Sequence, residues 1–254
     1  LNVSSEQELP TLFILGVNVH RVSHQQALAL LDAFAASGKL HHIVTVNPEF
    51  CVQALTNADF RHVLNQADLA LPDGVGLVWA AKLLGKPLKG RVSGVDVVAS
   101  VASLAAGRGY RLFFLGAAPG VAEAAAKALE DRNPGLHVAG CYAGSPRPEE
   151  DDEIVARVNA VRPHFLFVAF GAPQQDLWIS RNQTQLQVAV AMGVGGSFDY
   201  ISGRVSRAPA WMRRLGLEWL YRLLREPWRW RRMLRLPYFV WLVLVQWLGL
   251  RVTQ

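Results

Sequence analysis

His42-Ile43-Val44-Thr45-Val46-Asn47-Pro48-Glu49 is an apolar, β-branched run that stops at polar and turn-forming residues. A run of this kind reads as a buried strand. The arrangement recurs. Residues 68–71 lead into Pro72-Asp73-Gly74-Val75-Gly76, and residues 165–170 into Gly171-Ala172-Pro173-Gln174-Gln175-Asp176. Residues 188–192 lead into Gly193-Val194-Gly195-Gly196-Ser197-Phe198-Asp199. Further strands are expected at 111–115 and 136–141, with helix formers between them, for instance at 121–130 and 152–161. Residues 11–19 and 22–37 begin the series, and Ser23 with Gln26 forms a capping box for the first helix.

This alternation predicts an α/β fold: a Rossmann-like, mostly parallel sheet flanked by helices. In such a sheet the four polar strand ends share one edge, where α/β proteins hold their ligands. The glycines let backbone N–H groups approach a phosphate, and the helices that follow present their N-termini to it. One such loop is weak support for a site, whereas four together define one. Each still has a plainer reading. Pro72-Asp73-Gly74 is an ordinary turn if Asp73 only caps a helix, and Asn47 before Pro48 can simply shape a turn. Gly116-Ala117-Ala118-Pro119-Gly120 resembles a phosphate loop, but lacks the dinucleotide glycine spacing and the Walker lysine. No nucleophile pairs with His41 or His42, and the acids at 149–153 read as a solvated helix start. No Asp-x-Asp occurs, which disfavours a nucleotide-sugar enzyme of the divalent-metal kind.

The last fifth of the chain differs in composition. Residues 204–254 hold eleven arginines, no lysine, two acids (Glu218, Glu226) and six of the eight tryptophans. That segment carries 11 − 2 = +9, so residues 1–203 carry 6 − 9 = −3 and the net charge of +6 is entirely local. Arginine interleaved with tryptophan, followed by the apolar run at 238–250, suits a surface that meets anionic headgroups and the acyl boundary. The fifteen residues 236–250 contain Pro237 and Gln246. They fall short of the ~20 apolar residues a bilayer span needs, so the segment is expected to lie on a membrane. The turn-rich stretch 201–209 marks a join between a catalytic domain (1–203) and a helical C-terminal appendage (204–254), with Pro227 and Pro237 starting or breaking helices. Cys51 and Cys141 have no metal-ligand spacing and read as reduced and structural. Leu1–Pro10 is polar and acidic, so no secretory signal is expected there, and the absent initiator methionine points to a processed or trimmed terminus.

Eight motifs occur in order: Thr45-x-Asn47, Pro72-Asp73-Gly74-x-Gly76, Arg91-Val92-x-Gly94-x-Asp96, Gly171-x-Pro173-x-Gln175-Asp176, Gly193-Val194-Gly195-Gly196-x-Phe198-Asp199, Arg207-Ala208-Pro209-x-Trp211, Leu217-Glu218-Trp219-Leu220-x-Arg222-Leu223 and Glu226-Pro227-x-Arg229. As a set they strongly resemble the WecG/TagA/CpsF glycosyltransferases (glycosyltransferase family 26), from about residue 12 to about residue 235. Two positions depart from the pattern: Gly90 stands where an acid is usual, and Asp176 where a glutamate is usual.

The resemblance implies an inverting, metal-independent enzyme without a cofactor. It would move a sugar from a UDP-sugar donor to a polyprenyl-pyrophosphate-linked sugar acceptor in bacterial surface or secreted polysaccharide synthesis. The donors it implies are UDP-N-acetylmannosamine, its uronic acid relative or UDP-glucose. It further implies that Asp73 is the general base and that Thr45 and Asn47 hold donor or acceptor near it. Arg91, Gly171, Gln175, Gly195 and Asp199 match donor contacts, and Arg222, Arg229 and Arg232 match tail arginines that fold over the site to stabilise the leaving diphosphate. The expected location is peripheral, on the cytoplasmic face of the inner membrane, with an oligomer shielding the apolar tail in solution.

Two other readings fit the sequence less well. A dehydrogenase would need a glycine fingerprint and a later acid that the chain lacks. A non-catalytic membrane or nucleic-acid module would use the Arg/Trp tail. It leaves the four strand-end loops unexplained, and the near-neutral body argues against a nucleic-acid partner.

Overall fold

The computed structural model describes residues 9–227, 230 and 234–250. Strands β3 (His41–Val46), β4 (Leu69–Pro72), β5 (Arg111–Gly116), β6 (His137–Tyr142), β7 (Phe165–Ala169) and β8 (Val190–Gly193) form one sheet in the order β4-β3-β8-β7-β5-β6. Every pairing within it is parallel. The α/β expectation is borne out, with strand ends within two residues of those read from the sequence.

Both faces of the sheet are covered, which is why its strands are continuously apolar rather than alternating. Ile43, Phe114, Phe167 and Met192 point to one face, in a core shared with α1 (His24–Ala35), α5 (Gly94–Arg108), α6 (Val121–Glu130) and α9 (Ser197–Ile201). Val44, Leu115, Val168 and Ala191 point to the other. There they meet α2 (Pro48–Thr56), α3 (Ala58–Gln66), α4 (Val75–Leu83), α7 (Asp151–Val161) and α8 (Gln174–Asn182). The capping box is present: Ser23 Oγ accepts from Gln26 N and Gln26 Oε1 accepts from Ser23 N.

Residues 11–19 do not join this sheet. They fold into an antiparallel hairpin, β1 (Thr11–Ile14) and β2 (Val17–His20). The turn between them has Leu15 at φ 51° and Gly16 at φ 78°. Two successive positive φ values make the tight turn whose twist matches a hairpin, and glycine lowers its cost.

Beyond residue 209 lie α10 (Ala210–Arg214), α11 (Glu218–Arg225) and α12 (Arg235–Trp247). Pro227 follows the end of α11, and Pro237 sits in the first turn of α12, where a missing N–H costs nothing. One side of α12 is part of the protein core. Phe239, Leu242 and Val243 are buried with Val46, Phe50 and Leu77. Gln246 ties the helix to the hairpin, accepting from Leu15 N at 3.0 Å and donating to Phe13 O at 3.1 Å. Arg235 Nη1 pairs with Glu49 Oε1 at 2.6 Å. Among the described residues no helix is long and apolar enough to cross a membrane.

Because Phe239 is 2% exposed, Phe239→Ala is expected to destabilise the protein by about 3–5 kcal/mol, the cost of emptying a buried aromatic site. Urea unfolding followed by circular dichroism checks this. An unchanged midpoint would mean that α12 is not packed on the body in solution.

Candidate functional site

The helix after β8 lies on one face of the sheet, whereas those after its neighbours β3 and β7 lie on the other. Their loops therefore part above the strand ends and leave a crevice between them. This crevice is a cleft of about 400 Å³ lined by Thr45, Asn47, Asp73, Gly171, Gln175, Gly195, Asp199 and Arg222, all named from the sequence. Glu49, Ser197 and Tyr200 also line it and were not foreseen.

Asp73 follows β4 directly, and its N–H donates to Val46 O at 2.7 Å, which holds it beside the end of β3. The plainer reading, in which Asp73 caps the next helix, is corrected: Gly74 is the N-cap of α4, and no side chain closes that cap. Asp73 Oδ2 instead accepts from Gly94 N at 3.3 Å, at the start of α5. Burial raises its pKa to about 6; the Gly94 N–H and Arg91 pull it down, while Glu218 and Asp96 push it up. A carboxylate with that value is ionised at neutral pH yet basic enough to accept a proton, as a general base must be.

The remaining loops hold one another. Thr45 Oγ1 donates to Gly193 O at 3.2 Å, and Asn47 Oδ1 caps α2 by accepting from Phe50 N at 3.0 Å. Gln175 is buried, and its Oε1 accepts from Gly195 N at 2.9 Å. Gly193 is obligatory by packing, since an added Cβ would stand 2.5 Å from both Asp176 Oδ1 and Gln175 Nε2. Asp176 is fully buried, and its Oδ1 lies 3.7 Å from His42 Nε2, too far for a hydrogen bond.

Arg222 reaches the cleft from α11. Its guanidinium lies over the Tyr200 ring at 5.1 Å, and Nη2 would be 3.3 Å from a Cβ added to Gly196. Nε is 3.6 Å from Glu226 Oε2, an ion pair rather than a hydrogen bond. Arg229 and Arg232 lie outside the described residues.

Arg91 does not line the cleft. Its Nη1 pairs with Glu218 Oε2 at 2.9 Å, and Glu218 Oε1 accepts from Arg207 Nε at 3.1 Å. Arg207 then holds Asp96 in a two-pronged pair at 2.6 and 3.0 Å. This chain of four charges fastens the tail to the body beside Asp73. All four residues occur in the ordered motifs, but pairing between positions more than a hundred residues apart has no local signal. The glycine-rich loop 116–120 is absent from the cleft lining. Among the described residues no three His, Cys, Asp or Glu side chains are grouped to hold a metal ion.

Residues 12–253 match the Glycosyl transferase WecG/TagA/CpsF family, and the chain belongs to that family. The resemblance read from the strand-end motifs is thus borne out. A relative from Bacillus spizizenii is 42% identical over 80% of this chain and 78% of its own length. It is named N-acetylglucosaminyldiphosphoundecaprenol N-acetyl-beta-D-mannosaminyltransferase. A Bacillus subtilis protein of the same name is 38% identical over 80% and 78%. One from Staphylococcus aureus (strain MW2), again of that name, is 32% identical over 95% of both chains.

Gly193→Ala is expected to displace Gln175 and the Gly195 loop, with a stability loss of about 1–3 kcal/mol from overpacking. Thermal melts test this, and an unchanged melting temperature would show that the loops are not locked in this way.

Proposed function

We propose that this protein is an inverting glycosyltransferase that moves an N-acetylmannosamine-type sugar from a UDP donor to a sugar on undecaprenyl diphosphate. The observation that carries this reading is Asp73, held at the cleft with its pKa raised to about 6, while Arg222 enters the same cleft from the tail. The relatives' names supply the sugar and the acceptor class.

In this reading Asp73 takes the proton of the acceptor hydroxyl as that oxygen attacks the anomeric carbon. The bond to the UDP oxygen breaks on the opposite side, so the configuration inverts. Charge gathers on the departing diphosphate, and Arg222 stabilises it with a planar, permanently charged donor set. Arg229 and Arg232 are proposed to assist. Thr45 and Asn47 position the reacting sugars. Gly171, Gln175, Gly195 and Asp199 shape the donor pocket, and Arg91 acts through its field on Asp73. Neither a cofactor nor a metal is part of the proposed reaction.

The location is proposed to be peripheral, on the cytoplasmic face of the inner membrane. Residues 204–254 form the docking segment, because Trp211, Trp219 and Trp241 are exposed among the tail's arginines. A homo-oligomer would cover this face when no membrane is present.

Asp73→Asn is expected to lower kcat by 10²–10⁴-fold, the usual worth of a general base, while UDP still binds. Retained turnover would remove Asp73 from that role. The same variant should melt slightly higher. With its pKa raised from 3.8 to about 6, Asp73 is penalised as a carboxylate above pH 6, and the penalty fades as pH falls from about 6 to 4. Removing that charge at pH 7.5 should add about 1–2 kcal/mol once screening in the open cleft is allowed for.

For the wild-type enzyme, kcat/KM should fall on the acid side through about pH 6, measured as UDP release with EDTA present. A flat profile from pH 5 to 8 would refute the assignment. Arg222→Gln should lower kcat by about 10²–10³-fold, the range for losing one donor to a developing anion; unaltered kcat would leave the leaving group to other residues.

A further inference from the structure

A second concavity, of about 530 Å³, lies beside the cleft. Among the described residues its lining contains no charged side chain. One wall is α4, with Val75, Trp79 and Leu83, and the other is α12, with Val240 and Leu244. Leu215, Gly216 and Leu217, in the turn between α10 and α11, and Trp219 also line it. The groove and the cleft meet at one segment. Asp73 lines the cleft, and Val75 lines the groove two residues later, a separation of at most about 7 Å along the backbone.

That junction is built for close approach. A Cβ on Gly76 would meet Pro48 Cγ at 2.7 Å, and one on Gly216 would meet Val75 Cγ2 at 2.7 Å. The groove follows α12 from Leu236 to Leu244, about 12 Å of helix. Cations stand nearby. Arg91, paired with Glu218, acts on Asp73 and Asp96, Arg213 also acts on Asp96, and among the described residues Arg213 Nε has no hydrogen-bond partner. The base and the hydrocarbon trough thus meet at one segment, with Arg91 acting on the base.

We infer that the groove binds the first isoprene units of the acceptor's polyprenyl chain, holding the lipid while its sugar lies at Asp73. This rests on the proposed acceptor and deepens it by giving the lipid a site on the protein. Trp79, at 73% exposed, and Val240, at 55%, both line this open trough, apolar surface of the kind that marks a binding site. A polar cleft that adjoins an apolar groove also matches the acceptor, which joins a sugar to an apolar chain. An adjoining bilayer surface would match the apolar wall without needing the trough.

Trp79 and Trp219 line the groove, so tryptophan fluorescence reports its occupancy directly. The test titrates the full chain with farnesyl diphosphate, with inorganic diphosphate, and with phosphatidylcholine–phosphatidylglycerol vesicles. The expected result is saturable binding of farnesyl diphosphate at least tenfold tighter than of diphosphate. Val240→Glu should weaken it tenfold or more, and so should Leu83→Glu on the facing wall, which serves if the first variant melts early. Equal affinity for the two diphosphates, or farnesyl binding untouched by both substitutions, overturns the inference. So does a loss confined to vesicle binding, which would make the trough part of the membrane contact.

A transfer assay separates this from the proposed reaction. For the wild type, kcat/KM with an undecaprenyl-linked acceptor should exceed that with a short-alkyl acceptor tenfold or more, and Val240→Glu should bring the ratio towards one. Farnesyl binding that both substitutions weaken, together with no transfer to either acceptor, would sink the reaction and leave the groove standing.

Discussion

A parallel strand can be followed only by a connection that crosses back over the sheet, and this constraint organises the molecule. All six strands of the main sheet are parallel, so every one delivers its chain to the same edge. The face on which the next helix packs then decides where that edge opens. The helix after β8 takes one face while those after β3 and β7 take the other, and the divergence leaves the cleft. Thr45, Asp73, Gln175 and Asp199 are 154 residues apart from first to last (199 − 45), yet they share one cavity for this reason.

Electrostatics at that edge depends on the tail. Asp73 is raised by burial and trimmed by Arg91, but Arg91 is itself engaged by Glu218 of α11. Glu218 also holds Arg207, and Arg207 holds Asp96. Tail and body therefore set the base's environment jointly. A carboxylate kept partly desolvated costs stability, and such a cost is common where chemistry needs a poised group. The four charged side chains are only part-exposed, so water does not screen them fully.

The tail has a divided character. Its last described helix buries Phe239, Leu242 and Val243 in the body while exposing Tyr238, Trp241 and Leu244. A helix apolar on both sides needs a partner on each. The body supplies one. In the proposed reading the acceptor chain and a membrane surface would supply the other.

The sequence by itself determined the fold class, because strands buried on both faces must be continuously apolar and their ends must be polar. It also identified eight of the residues that line the cleft, since each sits in a loop right after such a strand or in an ordered motif. The hairpin at 11–20 was legible only in Gly16, a single residue inside an apolar run. Tertiary structure decided what lies between distant segments: the four-charge chain, the burial that shifts Asp73, and the groove between α4 and α12. Local pattern records which face of an element is apolar. It does not record which other element will meet that face, because the partner is chosen by packing across the whole chain.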